Sequence, residues 1–129
     1  MCDIPDDAAT CDRFISAEIP DLPDNPRDQS SLAVEQRRYH SLVVRYMIHY
    51  CSNQSDCWNG KRCVKGFPKN FIRHTIVHAD KAAEYRRRAP IDGGNTYTVP
   101  NSGITYDNRH VIPHNRYLLL RWGGYDLYL

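Results

Sequence analysis

The sequence is poor in the residues that build a large apolar core, and it has no long apolar run. Its 129 residues include only three Phe and two Met, a length that supports at most one domain. The longest apolar runs, such as 117–120, fall far short of the ~20 residues that a transmembrane helix needs. The sequence contains no Gly-x-x-x-x-Gly-Lys-Ser/Thr phosphate loop, which excludes an ATP motor of that class. The acidic N-terminus lacks the apolar segment of a secretory signal, so we expect a nuclear or cytoplasmic protein that is not secreted.

Charge is unevenly distributed along the chain. Residues 1–30 carry eight acidic and two basic side chains, a net charge of −6, whereas residues 57–91 carry nine basic and two acidic ones, a net charge of +7. A basic block of this kind attracts polyanions and can neutralise phosphates, which indicates nucleic acid as a partner. The alternative is a solvated face whose cations only keep the chain soluble.

The first half of the chain predicts a linker followed by a helix. Residues 1–30 hold four of the eight prolines, which predicts an acidic, Pro-rich lead-in that crosses a surface in an extended form. From Asp28 onwards, capping residues precede apolar positions at helical spacing. We therefore predict one amphipathic helix over about 31–48.

The second half predicts mainly β-structure. Residues 85–88 resemble an edge strand, and residues 95–99 and 104–106 flank a turn at 100–103, which predicts a hairpin. Residues 110–112 and 117–122 can each add an element before the break at Gly123 and Gly124. Together with the helix and a loop bearing Cys and His, this is an α+β arrangement with a small, mainly antiparallel sheet.

Three of the five cysteines follow a histidine closely, in the pattern His-x-Cys-x5-Cys-x5-Cys. Zinc prefers four such ligands in a tetrahedron, and clustered Cys and His in an intracellular chain more often bind metal than form disulfides. The predicted zinc ligands are His49, Cys51, Cys57 and Cys63. Residues two apart on a helix point to opposite sides, so His49 and Cys51 can share an ion only if the helix ends before them.

Two alternatives to this ligand set stay open. His74 or His78 can replace His49 as the fourth ligand. Alternatively, the cysteines are small buried hydrophobic residues and His49 is a hydrogen-bonded helix end. We assign no role to Cys2 and Cys11.

Six motifs occur in an order that is similar to the Helitron helicase-like domain. They are Ile-Ser-Ala-Glu-Ile-Pro-Asp at 15–21, Met-Ile-His at 47–49 with the three cysteines, Lys-Gly-Phe-Pro-Lys at 65–69, Tyr-Arg-Arg-Arg at 85–88, Asp-Asn-Arg-His-Val-Ile-Pro-His-Asn at 107–115, and Leu-Leu-Leu-Arg-Trp at 118–122. The resemblance covers about 12–122. It divides the chain into the lead-in 1–30, a Helitron-like segment 31–122 and a divergent tail 123–129.

The resemblance implies a fragment of a DNA-processing protein. The family comprises rolling-circle transposases in which a replication-initiator nuclease, with a His-hydrophobic-His metal site and nucleophilic tyrosines, precedes a superfamily 1 helicase. This chain is similar to the stretch between the histidines and the tyrosines, and it contains no His-x-His pair. We therefore expect an incomplete domain that has no catalytic residue and does not cut DNA by itself.

The expected activity is at most that of a DNA-binding or scaffold segment, with single-stranded DNA as the partner and no small-molecule substrate. Three aromatic side chains, those of Trp58, Phe67 and Tyr85, are available for base stacking. The residues expected to contact phosphates are Lys61, Arg62, Lys65, Lys69, Arg86, Arg87 and Arg88. The alternatives are a stand-alone zinc-dependent module that binds protein, and a non-functional transposon remnant.

Overall fold

The computed structural model describes residues 8–51 and 57–123, and it has the predicted α+β architecture. Its helices are α1 (Ala8–Phe14), α2 (Ser31–Tyr46) and α3 (Arg116–Trp122), with short 3-10 helices at Pro90–Asp92 and Asn108–His110. Its strands are β1 (Ile15–Ser16), β2 (Tyr97–Thr98), β3 (Thr105–Tyr106) and β4 (His114–Asn115). Each sheet has two antiparallel strands, β1 with β4 and β2 with β3. Cys2 and the divergent tail beyond Gly123 lie outside the described residues.

Helix α2 confirms the predicted helix and ends slightly earlier. The side chain of Ser30 accepts a hydrogen bond from the backbone N–H of Ala33 and so caps the helix N-terminus. Met47 closes the other end, and the apolar face of α2 packs into a core that comprises Ile19, Val43, Met47, Ile48, Val111 and Leu119. None of the helices in the described parts of the chain is long and apolar enough to cross a membrane.

The lead-in follows the prediction only in part. Residues 21–30 are mostly exposed and contain no helix or strand, whereas α1 and β1 precede them. Ile15, Ala17 and Ile19 are all buried, and β1 pairs with β4 so that Ile15 lies opposite Asn115. Apolar residues at every second position place one face of an extended segment against the core, and this alternation outweighs the breaking effect of the prolines. The segment from 15 to 19 is therefore part of the domain.

The β-rich half follows the prediction in part. The hairpin is present, with Tyr97 opposite Tyr106 and a turn in which Asn101 and Gly103 adopt positive φ. Residues 85–88 form no strand, and within them only Arg87 makes an isolated bridge, with Ile72. Residues 116–122 form a helix, because the side chain of Asn115 caps its first turn.

Candidate metal centre

Four potential ligands converge at the end of α2. The ligand atoms of His49, Cys51, Cys57 and Cys63 all lie within 4.8 Å of one another. The Sγ atoms of Cys51 and Cys57 are 2.6 Å apart, and Sγ of Cys63 lies 3.3 Å from Nε2 of His49. All three thiols are free, so this set of side chains can hold a metal ion.

The alternative histidines do not join the cluster. Nε2 of His78 lies 2.6 Å from a carboxylate oxygen of Glu84, and His74 is exposed. Cys11, which we assigned no role, is buried and does not belong to the cluster.

His49 is positioned by the end of α2. The backbone N–H of Met47 caps the helix on the carbonyl of Val43, and the chain then continues extended. Ile48 forms a bridge with Val111, and the N–H of His49 donates to the carbonyl of His110 at 2.8 Å. The helix therefore ends before His49, which meets the geometric condition that a site shared with Cys51 requires.

Cys57 and Cys63 are brought together by a tight turn. The N–H of Val64 donates to the carbonyl of Cys57 at 2.7 Å, and Trp58 forms a bridge with Cys63. The side chain of Asn59 accepts hydrogen bonds from two N–H groups of the turn, and Gly60 adopts a φ of 95° that disfavours other residues. The turn sequence thus places two cysteines six positions apart on one side of the loop.

The local hydrogen bonds favour a thiolate at Cys63. Burial opposes its ionisation, but the backbone N–H groups of Phe67 and Lys65 and the neighbouring Cys51 and His49 lower the pKa of Cys63 to about 6. The hydrogen bond with Cys57, together with burial, raises the pKa of Cys51 to about 12. Since metal ions bind thiolates, these hydrogen bonds favour the binding form of Cys63.

Phe67 supports the cluster in a way that the sequence did not reveal. Its ring stacks on the imidazole of His49, with 4.6 Å between centroids, and the ammonium of Lys69 lies 5.0 Å from the Phe67 ring centroid. The stacking of Phe67 on the imidazole orients His49. The sequence analysis assigned Phe67 to base stacking, and no pattern in the sequence links it to His49.

Four of the predicted phosphate-binding residues surround the cluster. Lys61, Arg62, Lys65 and Lys69 are all exposed, and none of them forms an ion pair with a carboxylate in the described residues. The loop that carries the metal ligands therefore presents four cations to solvent.

The other three predicted phosphate-binding arginines bind partners within the protein, and two of them, Arg86 and Arg88, remain about one-third exposed. Glu18, 6% exposed, accepts hydrogen bonds from Arg86 and Arg88 at 2.8–3.0 Å. Although burial raises the pKa of Glu18, the bonds from Arg88 and the charge of Arg86 lower it more.

Arg87 is 6% exposed and donates to the carbonyls of Asn108 and Val111 at 2.8 and 2.6 Å. Burial lowers its pKa to about 10, so the guanidinium remains charged at neutral pH. Arg87 is thus inaccessible to a DNA phosphate, which corrects the sequence interpretation.

Asn108 is a second residue that the sequence analysis missed. It is fully buried, its side-chain oxygen accepts from the N–H of Ile19 at 2.7 Å, and its amide donates to the carbonyl of Arg88 at 2.9 Å. It therefore joins three distant segments, although its sequence context predicts only a turn.

Comparison with known proteins leaves the family unassigned. No protein-family model matches this sequence, and no curated protein matches it. The resemblance to the Helitron helicase-like domain therefore rests on the six ordered motifs.

Proposed function

We propose that this chain is a zinc-stabilised module that binds single-stranded DNA and derives from a Helitron-type DNA-processing protein. The observation that carries the proposal is the convergence of the ligand atoms of His49, Cys51, Cys57 and Cys63 within 4.8 Å, on a segment that also exposes four cations. The order of the six sequence motifs supports the descent.

Zinc fits the ligand set better than other common ions. One imidazole and three thiolates form a Cys3His set, a usual composition of structural zinc sites, whereas magnesium and calcium prefer oxygen. Tetrahedral Zn–S bonds of about 2.3 Å place sulfur atoms roughly 3.8 Å apart. The distances in the cluster, from 2.6 Å to a maximum of 4.8 Å, lie on both sides of this value, so small side-chain movements complete the site.

The cations define the proposed contact with DNA. Because Lys61, Arg62, Lys65 and Lys69 lie on the segment that bears Cys63, folding of this segment around zinc fixes their arrangement. Phosphate contacts of this kind give affinity that is independent of sequence and sensitive to salt. Trp58, which forms the bridge with Cys63 and is half-buried, is available for base stacking.

Zinc binding is tested by metal analysis of the purified chain. We expect one zinc ion per chain, and the cobalt-substituted protein should show the absorption of a tetrahedral thiolate site. A chain that contains no zinc, and whose melting is unchanged by a chelator, would contradict the zinc assignment.

DNA binding is tested by titrating the zinc-loaded chain with labelled single-stranded DNA at several salt concentrations. Four phosphate contacts predict a log–log salt slope of about −3. Replacement of Lys61, Arg62, Lys65 and Lys69 by Gln should abolish most of this slope. The matched control replaces four exposed cations elsewhere by Gln: Arg13, Arg27, Arg45 and Lys81. Equal losses of DNA affinity in the two variants would show that binding responds to net charge alone.

A protein-binding module is the second candidate. Val64, next to Cys63, is 60% exposed, and Phe71 also reaches solvent. Exposed apolar side chains beside a metal centre suit a protein interface. Metal-dependent folding without DNA affinity at low salt would favour this alternative.

The genomic sequence around the gene tests the proposed Helitron descent independently. An upstream His-x-His pair, with tyrosines and a phosphate loop downstream, would support this descent.

A further inference from the structure

A polar pocket, separate from the cluster of His49 and the three cysteines, lies among residues that the zinc proposal does not use. It has a volume of about 170 Å³, and its polar lining includes Ser16, Glu18, Tyr39, Arg86, Arg88 and Arg116. No metal ligand lines it. The pocket is smaller than the ~300 Å³ or more of a typical drug-sized site, so it suits a single small group.

The arginines that line this pocket differ in their partners. Its three arginines face two carboxylates, those of Glu18 and Asp21. Glu18 is fully engaged by Arg86 and Arg88. In the described parts of the chain, Arg116 forms no ion pair, and Nη2 of Arg116 donates instead to the backbone carbonyl of Asp12 at 2.8 Å. Arg116 is therefore an arginine of this pocket whose guanidinium is not paired with any carboxylate of the described residues.

Two hydrogen-bond donors at this site lack an acceptor among the described residues. They are the Nε atoms of Arg86 and Arg116, which are buried. Both arginines also line a neighbouring cavity of about 10 Å³, together with Glu18 and with Asp12, whose carboxylate accepts a hydrogen bond from Thr75. A buried donor without an acceptor is unfavourable, so two such donors, together with the guanidinium of Arg116, favour an anionic ligand with several acceptor oxygens.

We propose that this pocket binds a phosphoryl group. Guanidinium groups donate hydrogen bonds in a planar fork that matches the oxygens of phosphate. The side chains of Ser16 and Tyr39, which carry hydroxyl groups, also line the pocket. The phosphoryl group comes either from free phosphate or from the backbone of a nucleic acid. In the second case the pocket deepens the proposed function, because it adds a buried phosphate contact to the exposed cations of the zinc loop.

The first test uses the unmodified zinc-loaded chain. Titration with inorganic phosphate, at constant ionic strength maintained with chloride, should shift the Nε–H resonances of Arg86 and Arg116 to saturation. Resonances that do not move would overturn the proposal, and water molecules would then account for the two donors.

The second test compares two substitutions that remove the same charge. Arg116→Gln should weaken phosphate binding about tenfold or more, as expected for the loss of a charge-assisted hydrogen bond. Arg45→Gln, at an exposed position on α2, should leave it within about twofold. If Arg116→Gln fails to fold, Arg116→Lys serves instead, because it keeps the charge and loses the fork. Equal effects at positions 116 and 45 would contradict a specific site.

Single-stranded DNA distinguishes the two sources of phosphate. If Arg116→Gln weakens both phosphate and DNA binding, the pocket takes a backbone phosphodiester. If it weakens only phosphate binding, the pocket takes free phosphate. The variant with four Gln substitutions in the zinc loop should retain phosphate binding, so failure of the DNA proposal and failure of this pocket give different results.

Discussion

Two polar clusters of this protein differ in how their charges are satisfied. The cluster of Glu18, Arg86, Arg88 and Asn108 is satisfied largely from within, since the arginines donate to the buried carboxylate and the asparagine fills its hydrogen bonds with backbone groups. The cluster of His49 and three cysteines has ligands but no cation among its own side chains. The chain alone can therefore order the first cluster, whereas we expect the second to be stabilised by the proposed ion.

Loss of the ion should have the largest effect. We expect Cys57→Ser to reduce zinc from one ion per chain to none and to lower the free energy of unfolding by about 3 kcal/mol or more, because zinc binding contributes directly to folding. Metal analysis and urea denaturation measure both changes. Glu18→Gln is the contrasting variant and should retain the ion. A Cys57→Ser chain that still holds zinc would remove the distinction between the clusters.

Glu18→Gln should destabilise the protein through the cluster of Glu18, Arg86, Arg88 and Asn108. The amide keeps the shape of the side chain but leaves the charges of Arg86 and Arg88 without their carboxylate. We expect a loss of about 2–3 kcal/mol, below the value for a fully buried pair because both arginines are about one-third exposed. The control is Glu35→Gln on the exposed face of α2, which should change stability by less than about 0.5 kcal/mol. Similar losses at the two positions would contradict the role of Glu18.

Gly94→Ala tests how tightly the same cluster is packed. A Cβ atom at Gly94 would lie 2.0 Å from the carbonyl oxygen of Arg88 and 2.9 Å from the side-chain amide of Asn108. We expect a loss of about 2 kcal/mol from this overlap. Gly60→Ala in the metal loop meets no atom within 4 Å and is disfavoured only by its positive φ, so it should cost about 1 kcal/mol. Chemical denaturation measures the free energy of unfolding of both variants. A smaller loss for Gly94→Ala than for Gly60→Ala would contradict the tight packing around Gly94.

Acidification should reveal the smallest effect, at His114. Burial lowers the pKa of His114 below its ordinary 6.5, and its ring lies between the hydroxyl of Tyr39 at 2.7 Å and the carbonyl of Ile112 at 3.0 Å. Since the folded state binds this proton more weakly than the unfolded state, the contribution of His114 is present above pH 6.5 and is lost as the pH falls through its folded pKa. NMR titration of the imidazole measures the pKa directly, and a value at or above 6.5 would contradict the expectation. The lowered pKa of Glu18 acts in the same direction below pH 4.5.

The sequence predicted the metal cluster better than the ionic one, for a physical reason. The four metal ligands lie within fifteen residues, so a helix end and one tight turn suffice to bring them together. Glu18 and Arg88 are 70 positions apart, and their pairing depends on the path of the whole chain. In the sequence, Glu18 belongs to an acidic segment and Arg88 to a basic one. This separation suggests that each segment binds a different partner, and it does not predict that the two residues pair with each other.

The same distinction applies to the secondary structure. Helix α2 and the hairpin turn depend on local capping and turn residues, and both were predicted. The burial of Ile15 and Ile19 depends on β4 and Asn108, which lie about one hundred positions later. Proline content therefore gave the wrong environment for this segment, because it reports local backbone restriction and not long-range packing.

The pairing of β1 with β4 has a consequence for the order in which the chain folds. Residue 15 lies opposite residue 115, so during synthesis on a ribosome β1 must wait until β4 has left the exit tunnel. Contacts of such large sequence separation form slowly because a long loop must close first. Helix α2 and the loop with the three cysteines need no such closure, so the four candidate ligands can converge on a nascent chain whose first buried strand still lacks its partner.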